Sequence, residues 1–452
     1  MEQFKNKKIT IMGLGLLGGA LNDAIYLAEH GALLTITDIK TAEQLKPSVL
    51  KLKKYKNIKF VLGGHNMEDF KNADMILQPG NVPVDSPYLL EAKKNHIPVF
   101  VSESLFAKYA EGVVLVGITG TRGKSMTTAL IYEILSKNLN FLKVPSTTLG
   151  TKKSSVFLGG NVRNVSTLAL LDKVKKGDIV VMELDSWALH GMGDIKISPQ
   201  ISVFTSFMPD HMNYYKNSME DYFKDKANIF RYQKTGDILI TSKEVKKLIK
   251  EKIKSNIILA DKNNVSDFKF IVPGDHQRQN LAYAVKVAEQ FGIPLNKIKK
   301  TVADFKGVEG RLQLLKTYKG IKIYNDNNAT TPEATIAGIK ALRQDLSNKN
   351  IILICGGASK NLNLTTLTKE VNNNCKIVIM IPGTGTDIWL KDYKLKIPNE
   401  VGKNLKDIVQ KAIKQAKKGD IILFSPAFAS FGMFKNEYDR GDQFLKIVKN
   451  LK

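Results

Sequence analysis

The chain has 452 residues, of which 43% are hydrophobic and 25% are charged, and this composition predicts a globular protein of two to four domains. No uninterrupted apolar run reaches the roughly 18 residues of a membrane-spanning helix, and the glycine-punctuated N-terminus indicates a strand and turn rather than a signal peptide. The two cysteines, Cys355 and Cys375, exclude a disulfide framework and are compatible with a reducing cytoplasm.

The net charge of +25 raises the question of nucleic-acid binding. The excess lysines are scattered and mixed with asparagine, as in "KKLIKEKIKSN", and no nucleic-acid motif or aromatic-basic alternation accompanies them. We therefore predict no nucleic-acid partner, and regard anionic small substrates as a secondary reason for the positive charge.

The first block of the chain, "KKITIMGLGLLGGALNDAIYLAEHGALLTITD", alternates strand, glycine turn, helix and strand, which is the pattern of a βαβ unit. Its glycines are Gly13, Gly15 and Gly18, and Asp38 follows the second strand. By itself this weak motif would suggest the dinucleotide site of a dehydrogenase. The segments "NADMILQPGNVP" and "IPVFVSES" add further strands.

The second block contains "GVVLVGITGTRGKSMTTALIYEIL", in which a strand enters a glycine-rich loop and a helix leaves it. The loop lacks the first glycine of the strict phosphate-binding pattern, because Ile118 occupies that position. Its backbone N–H groups can still surround an anion, Lys124 can reach the β- and γ-phosphates, and the Ser125 hydroxyl can bind Mg²⁺. An incidental glycine-rich turn is the alternative. The predicted ATP contacts in the loop are Gly120, Thr121, Arg122, Gly123, Lys124, Ser125 and Met126.

The third block begins near Arg311 and continues through "KIYNDNNATTPEATIAGIKAL", "NIILICGGASK", "KIVIMIPG" and "DIILFSPAFASFG". Strands that alternate with helices along the whole chain predict an α/β protein with mostly parallel sheets.

The spacing of the loop resembles that of one enzyme family. "GITGTRGKS" is identical at every fixed position to G-x-T-G-T-x-G-K-[ST], the form that the loop takes in the Mur ligase and folylpolyglutamate synthetase superfamily, and the resemblance extends over nearly all of the chain. It implies three domains: a Rossmann-like UDP-substrate domain at 1–108, a central P-loop ATPase domain at 109–310, and a Rossmann-like C-terminal domain at 311–452 that closes on the nucleotide and the amino acid.

The resemblance also implies a metal site in the central domain. "IVVMELDSWAL" is similar to the family's strand ending in Glu-Leu-Ser-Ser-Phe, so Glu183 would help Ser125 to hold Mg²⁺. "SFMPDHMNYY" and the downstream Tyr-x-x-x-Lys make His211 a metal or acyl-group contact and Lys226 the lysine that is carried as a carbamate. Lys124, His211 and Lys226 are the predicted catalytic residues. A surface carboxylate for Glu183 and a helix-surface ion pair for Lys226 are the alternatives.

The remaining nucleotide contacts follow from three segments. "GDHQRQNLAYAV" is similar to a family helix that places Asn280 on the adenine, "FKGVEGRLQLL" places Arg311 on the phosphates or ribose, and "YNDNNATT" places Asp326 on the ribose.

The resemblance divides the substrate contacts between the two outer domains. In the first domain Leu16 and Leu17 would approach the uracil, Asp38 the nucleoside, and Gly80 the diphosphate or sugar, while Asn161 of the central domain would lie near the substrate or metal. In the last domain the acceptor amino acid would contact residues of "CGGASKN", "NATT" and "LFSPAFASFGMFKNEYDRG". These predicted contacts are Thr330, Lys360, Ser430 and Phe431.

Several positions depart from the family pattern. The replacements are Gln277 for asparagine, Gly310 for histidine, Asn328 for lysine, Asn363 and Gly432 for aspartate, and Glu437 for an aromatic residue. The loss of a cation at Asn328 and the added carboxylate of Glu437 leave the choice of amino acid open.

The function that the resemblance implies is that of a monomeric cytoplasmic ligase. It would use ATP and Mg²⁺ to join D-glutamate to UDP-N-acetylmuramoyl-L-alanine through an acyl phosphate, in the synthesis of peptidoglycan precursors. The alternatives are a Mur-type ligase with another amino-acid acceptor, a degenerate non-catalytic nucleotide-binding homologue, and a basic nucleic-acid-associated ATPase.

Overall fold

The computed structural model describes residues 2–15, 18–80, 82–83, 85–143, 154–163, 165–343 and 349–451. The chain divides into two compact units, Met1–Asn264 with Asn280–Thr301, and Val265–Gln279 with Val302–Lys452. The first unit contains two β-sheets and the second contains one. The α/β fold with mostly parallel sheets is therefore confirmed.

The first sheet is entirely parallel, with strand order β3-β2-β1-β4-β5. Its strands are β1 (Lys8–Met12), β2 (Leu33–Asp38), β3 (Ile58–Leu62), β4 (Met75–Leu77) and β5 (Val99–Phe100), and its helices are α1 (Gly19–Glu29), α2 (Lys46–Leu52), α3 (Pro87–Lys94) and α4 (Ser102–Tyr109). Strands β2 and β3 lie on one side of β1, and strands β4 and β5 lie on the other. The C-terminal ends of β1 and β4 therefore flank a crevice of the kind that binds ligands in such sheets.

The second sheet is also parallel, with strand order β11-β10-β9-β6-β8-β7. Its strands are β6 (Val114–Thr119), β7 (Val156–Gly160), β8 (Ile179–Glu183), β9 (Ile201–Phe204), β10 (Ile238–Thr241) and β11 (Asn256–Leu259). The helices that follow these strands are α5 (Lys124–Lys137), α6 (Ser186–Asp194), α7 (Met219–Arg231), α8 (Lys243–Lys246), α9 (Asp275–Gln290) and α10 (Leu295–Asp304). Strand β6 lies between β8 and β9, so the loops after these three strands meet at one edge.

The third sheet has the order β12-β13-β17-β14-β15-β16, and only the β12–β13 hairpin is antiparallel. Its strands are β12 (Gln313–Tyr318), β13 (Ile321–Asn325), β14 (Ile351–Gly356), β15 (Cys375–Ile381), β16 (Asn399–Val401) and β17 (Ile421–Phe424). Its helices are α11 (Pro332–Leu342), α12 (Thr365–Asn374), α13 (Thr384–Asp392), α14 (Leu405–Gln415) and α15 (Glu437–Lys449).

Alternation of apolar side chains on the central strands builds a core on each face of the third sheet. Leu353 and Cys355 of β14 belong to the core on one face, and Ile352 and Ile354 belong to the core on the other. Strands buried on both sides read as continuous apolar runs, which explains why "IILIC" carries no polar residue.

The predicted domain boundaries at residues 108 and 310 stay a prediction. The limits of the two compact units lie at other positions. Helices α9 and α10 each contribute residues to both units, so the chain passes between the units inside helices rather than in a linker. Within the described part of the chain, no helix is both long enough and apolar enough to cross a bilayer.

Candidate active site

The phosphate-type loop lies where the sequence predicts it, between the end of β6 and the start of α5. Gly123 forms the N-cap of α5 with a φ of 91°, in the left-handed region that favours glycine. Lys124 Nζ donates hydrogen bonds to the main-chain oxygens of Gly120 at 3.0 Å and Thr121 at 3.3 Å. The lysine is thus held across the mouth of its own loop, beside the helix N-terminus, where an anion is stabilised.

Close packing from behind fixes the shape of this loop. A Cβ added to Gly120 would lie 2.0 Å from Thr205 Oγ1, and one added to Gly123 would lie 2.5 Å from Asn280 Oδ1. The loop is also hydrogen-bonded to Thr205, whose Oγ1 donates to the main-chain oxygen of Arg122 at 2.6 Å. Asn280, the predicted adenine contact, therefore packs directly against the loop.

Two other predicted loop contacts differ in exposure. The Met126 side chain is buried in the core, so only its main chain belongs to the loop surface. The Arg122 side chain is partly exposed, and its Nη1 lies 3.6 Å from Asp210 Oδ2.

A hydroxyl and a carboxylate meet beside the loop. Strand β8 pairs with β6 so that Glu183 is opposite Ile118, and Ser125 Oγ donates a hydrogen bond to Glu183 Oε1 at 3.1 Å. Glu183 is buried, which excludes a surface carboxylate. Hard oxygen donors of this kind suit Mg²⁺. Among the described residues, no group of three His, Cys, Asp or Glu side chains is placed to hold a metal ion by itself.

Lys226 is 1% exposed, and no carboxylate lies within ion-pair distance in the described contacts, which excludes the predicted alternative of a surface ion pair. Its Nζ donates to Gly120 O at 3.1 Å and to Thr119 Oγ1 at 3.4 Å. Burial, and secondarily the positive charge of Lys124, lower the pKa of Lys226 to about 7. A substantial fraction of the amine is therefore neutral near neutral pH, and a neutral amine is the form that can react with CO₂.

His211 and Asn161 are two further residues of the predicted site. The His211 imidazole packs at 4.7 Å from the Trp187 ring, and burial lowers its pKa, so the neutral form prevails near neutral pH. The main-chain N–H of Asn161 donates to Glu183 O at 2.8 Å. His211 is also electrostatically coupled to Lys124 and Lys226. The structure thus brings Lys124, His211 and Lys226 into one region.

The crevice of the first sheet contains a glycine turn that Asp38 organises. Asp38 Oδ2 accepts hydrogen bonds from the main-chain N–H groups of Leu14 at 2.9 Å and Gly15 at 3.2 Å, and its Oδ1 accepts one from Lys40 at 2.9 Å. The Asp38 side chain is buried, and these hydrogen bonds stabilise the turn. Its contact with a nucleoside stays a prediction. Leu16 and Leu17, the predicted uracil contacts, lie outside the described residues.

Gly80 follows β4 at the same edge. A Cβ there would lie 2.5 Å from Cβ of Trp187, the residue that replaces the family's phenylalanine. Gly80 is therefore needed for the close approach of the first sheet's loop to α6, independently of any ligand contact.

In the second unit, a cleft of about 280 Å³ gathers every predicted amino-acid contact. An isolated antiparallel bridge between Ala358 and Ala429 places the loop after β14 beside the loop after β17. The residues that line the cleft are Arg311, Asn328, Thr330, Lys360, Ala429, Ser430, Phe431, Glu437 and Tyr438.

Asp326 directly follows β13 and is buried. Its Oδ2 accepts a hydrogen bond from Ser425 Oγ at 2.9 Å, and its Oδ1 accepts one from the main-chain N–H of Leu312 at 3.0 Å. Burial raises the pKa of Asp326 to about 7. These contacts join the segment before β12 to the loop after β17. A ribose contact of Asp326 stays a prediction.

The structure adds supporting residues that the sequence did not single out. Tyr283 Oη donates to the main-chain oxygen of Thr205 at 2.7 Å, behind the phosphate-type loop. Arg440 is fully buried and donates to the main-chain oxygens of Asn327 at 2.9 Å and Phe428 at 3.3 Å. Arg440 lies in the segment "YDRG" near the end of the family pattern. Its position four residues before Phe444 and eight before Val448, on the apolar face of α15, is the signal that could have identified it.

Comparison with known proteins gives two family matches. Residues 118–286 match the Mur ligase middle domain, and residues 310–428 match the glutamate ligase domain of Mur ligases. Curated proteins named UDP-N-acetylmuramoylalanine–D-glutamate ligase are similar over their whole length. The protein from Borreliella burgdorferi (strain ZS7) is 33% identical over 100% of this chain and 99% of its own, and that from Roseiflexus sp. (strain RS-1) is 31% identical over 99% of both.

Solved structures agree with these matches at the level of the fold. UDP-N-acetylmuramate-alanine ligase MurC from Thermotoga maritima aligns with a TM-score of 0.58 at 19% identity, covering 99% of this chain and 100% of its own. MurF ligase from the same organism, solved with ADP, aligns with a TM-score of 0.58 at 16% identity, covering 92% and 94%.

Proposed function

The chain belongs to the Mur ligase family, and on that premise we propose that it joins D-glutamate to UDP-N-acetylmuramoyl-L-alanine at the expense of ATP. The relatives named for this reaction match it from end to end. The observation that carries the proposal is the meeting of Lys124, Ser125, Glu183 and Lys226 at one edge of the second sheet. The reaction belongs to the cytoplasmic synthesis of peptidoglycan precursors.

The first step is attack by the terminal carboxylate of the UDP substrate on the γ-phosphorus of ATP, which breaks the bond to ADP and forms an acyl phosphate. The Lys124 ammonium and the N-terminus of α5 stabilise the negative charge on the transferred phosphoryl group. Ser125 and Glu183, with Lys226 as a carbamate, would hold Mg²⁺, which supplies additional charge neutralisation when bound.

In the second step the amine of D-glutamate attacks the acyl carbon, loses a proton, and expels inorganic phosphate from the tetrahedral intermediate. The acceptor binds in the cleft of the second unit, where Lys360 can pair with its carboxylates. Arg311 and Asn280 contact the nucleotide, and Asp38, Gly80 and Asn161 contact the UDP substrate.

A phosphate-release assay tests the proposal. ATP, Mg²⁺ and UDP-N-acetylmuramoyl-L-alanine are supplied with each of a panel of D- and L-amino acids, and we expect release with D-glutamate. Lys124→Ala should abolish it, because the loop then lacks its cation. Absence of release with every amino acid would disprove the ligase assignment, whereas release with a different acceptor would retain the ligase chemistry and change the product.

A further inference from the structure

We infer that Glu437 binds the ammonium group of the acceptor amino acid and thereby helps to select it, an inference that rests on the proposed function. Glu437 lines the cleft of the second unit together with two cationic side chains, Arg311 and Lys360. The family pattern has an aromatic residue at this position, where this chain has a carboxylate.

The backbone at Glu437 is held firmly at the cleft wall. Glu437 is the first residue of α15, and the Asn436 side chain caps that helix by accepting a hydrogen bond from Asp439 N at 2.9 Å. Asn327 Nδ2 donates to the main-chain oxygen of Glu437 at 2.8 Å. The buried Arg440 in turn donates to Asn327 Oδ1 at 2.8 Å. The carboxylate therefore projects from an ordered helix start rather than from an irregular loop.

The cleft presents charges of both signs to the proposed acceptor. D-glutamate carries two carboxylates and one ammonium group at neutral pH. Among the described residues that line the cleft, Lys360 is a cation that can pair with a carboxylate of the acceptor, and Glu437 is the one carboxylate that can pair with its ammonium group. Arg311 lines the same cleft but is assigned to the nucleotide. The cleft of about 280 Å³ lies just below the range of roughly 300–1,000 Å³ typical of drug-sized ligands, so it suits a small one.

The replacement of the family's lysine by Asn328 is consistent with this arrangement. Asn328 lines the same cleft, and its Nδ2 donates to the main-chain oxygen of Glu309 at 3.4 Å. A lysine at 328 would add a third cation close to the ammonium-binding carboxylate and compete for it. The two departures from the family pattern, Asn328 and Glu437, thus line the same cleft.

The inference is tested by comparing D-glutamate with glutarate, which has the two carboxylates but no ammonium group. In the wild-type enzyme the KM for D-glutamate should be lower than the inhibition constant of glutarate. In Glu437→Gln the KM for D-glutamate should rise about two- to fivefold, as for one partly exposed ion pair, while kcat changes little. The inhibition constant of glutarate should stay the same or fall, because the variant no longer repels a carboxylate.

Asp442→Asn is the matched control, because Asp442 is an exposed acid on the same helix that lines a different groove. It should leave both constants unchanged. Normal D-glutamate turnover with an unchanged KM in Glu437→Gln would overturn the role of Glu437 and leave the proposed function standing. No turnover with D-glutamate in the wild type would overturn both. Preferential use of a diamino acid, lost in Glu437→Gln, would also overturn the inference, since Glu437 would then bind a side-chain amine.

Discussion

Substitution of Gly123 by alanine tests whether the glycine loop positions the nucleotide. Gly123 has a φ of 91°, and an added Cβ would lie 2.5 Å from Asn280 Oδ1, where ordinary contacts begin at 3.4 Å. The alanine therefore introduces two separate penalties, a strained backbone and a displaced Asn280.

The two penalties can be separated by their size and by a control. Left-handed backbone costs an alanine about 1–2 kcal/mol. Gly236 has a φ of 96°, and a Cβ added there would meet no atom within 4 Å, so Gly236→Ala carries the strain alone. Relief of the contact at Gly123 requires a displacement of roughly 1 Å in the loop or in Asn280, and a misplacement of that size can lower a rate about 100-fold.

The assay combines urea unfolding with ATP-dependent phosphate release. Gly236→Ala should lose about 1–2 kcal/mol of stability and Gly123→Ala at least as much, but only Gly123→Ala should raise the KM for ATP, at least tenfold, and reduce turnover. A Gly123→Ala enzyme with the wild-type KM for ATP would refute the assignment of this loop, as would equal loss of activity in Gly236→Ala.

Three further predictions concern buried or departing residues. Lys226→Met should reduce turnover about 100-fold with ATP affinity retained, and wild-type protein under ¹³CO₂ should show a carbamate carbon signal that the variant lacks; full activity of the variant would exclude a ligand role. Burial raises the pKa of Asp23 from 3.8 to about 7, so its contribution to stability is complete below about pH 4 and is lost as the pH rises through 7. Asp23→Asn should therefore unfold with a flatter pH dependence and be more stable than wild type at pH 8, and parallel pH profiles would contradict this. Gly310 has a φ of 70° and a Cβ there would lie 3.0 Å from Asn328 Nδ2, so Gly310→His, which restores the family residue, should cost about 1–2 kcal/mol in a denaturant titration; an unchanged midpoint would show that the backbone adapts.

The phosphate-type loop and the alternation of strands and helices were predictable because both depend on local sequence. A strand, a glycine turn and a lysine at a helix start are adjacent in the chain, so their contacts follow from spacing. The pairing of Ser125 with Glu183 required a partner that lies 58 positions away. Resemblance to a family supplied that partner, whereas periodicity alone could not.

The state of buried polar groups was not predictable. Sequence left open whether Lys226 formed a surface ion pair, since burial depends on how α7 packs against the second sheet. The carboxylate of Asp38 illustrates the same limit, because an acid after a strand can accept hydrogen bonds from a ligand or from the chain itself. In the structure its oxygens accept from main-chain N–H groups, including that of Leu14.

Contacts between residues that differ from the family pattern could not be predicted from the sequence either. Gly310 and Asn328 are separated along the chain, yet the main-chain N–H of Asn328 donates to Gly310 O at 3.1 Å. Two replacements that look independent in the sequence are therefore hydrogen-bonded to each other in the structure.

The transfer of oxygen from substrate to phosphate tests the proposed chemistry most directly. UDP-N-acetylmuramoyl-L-alanine labelled with ¹⁸O at both oxygens of its terminal carboxylate is incubated with ATP, Mg²⁺ and D-glutamate, and the inorganic phosphate is examined by mass spectrometry. Attack of that carboxylate on the γ-phosphorus predicts one ¹⁸O in each phosphate released, in step with formation of the amide product. Phosphate without ¹⁸O, or ATP cleavage without amide product, would contradict the account.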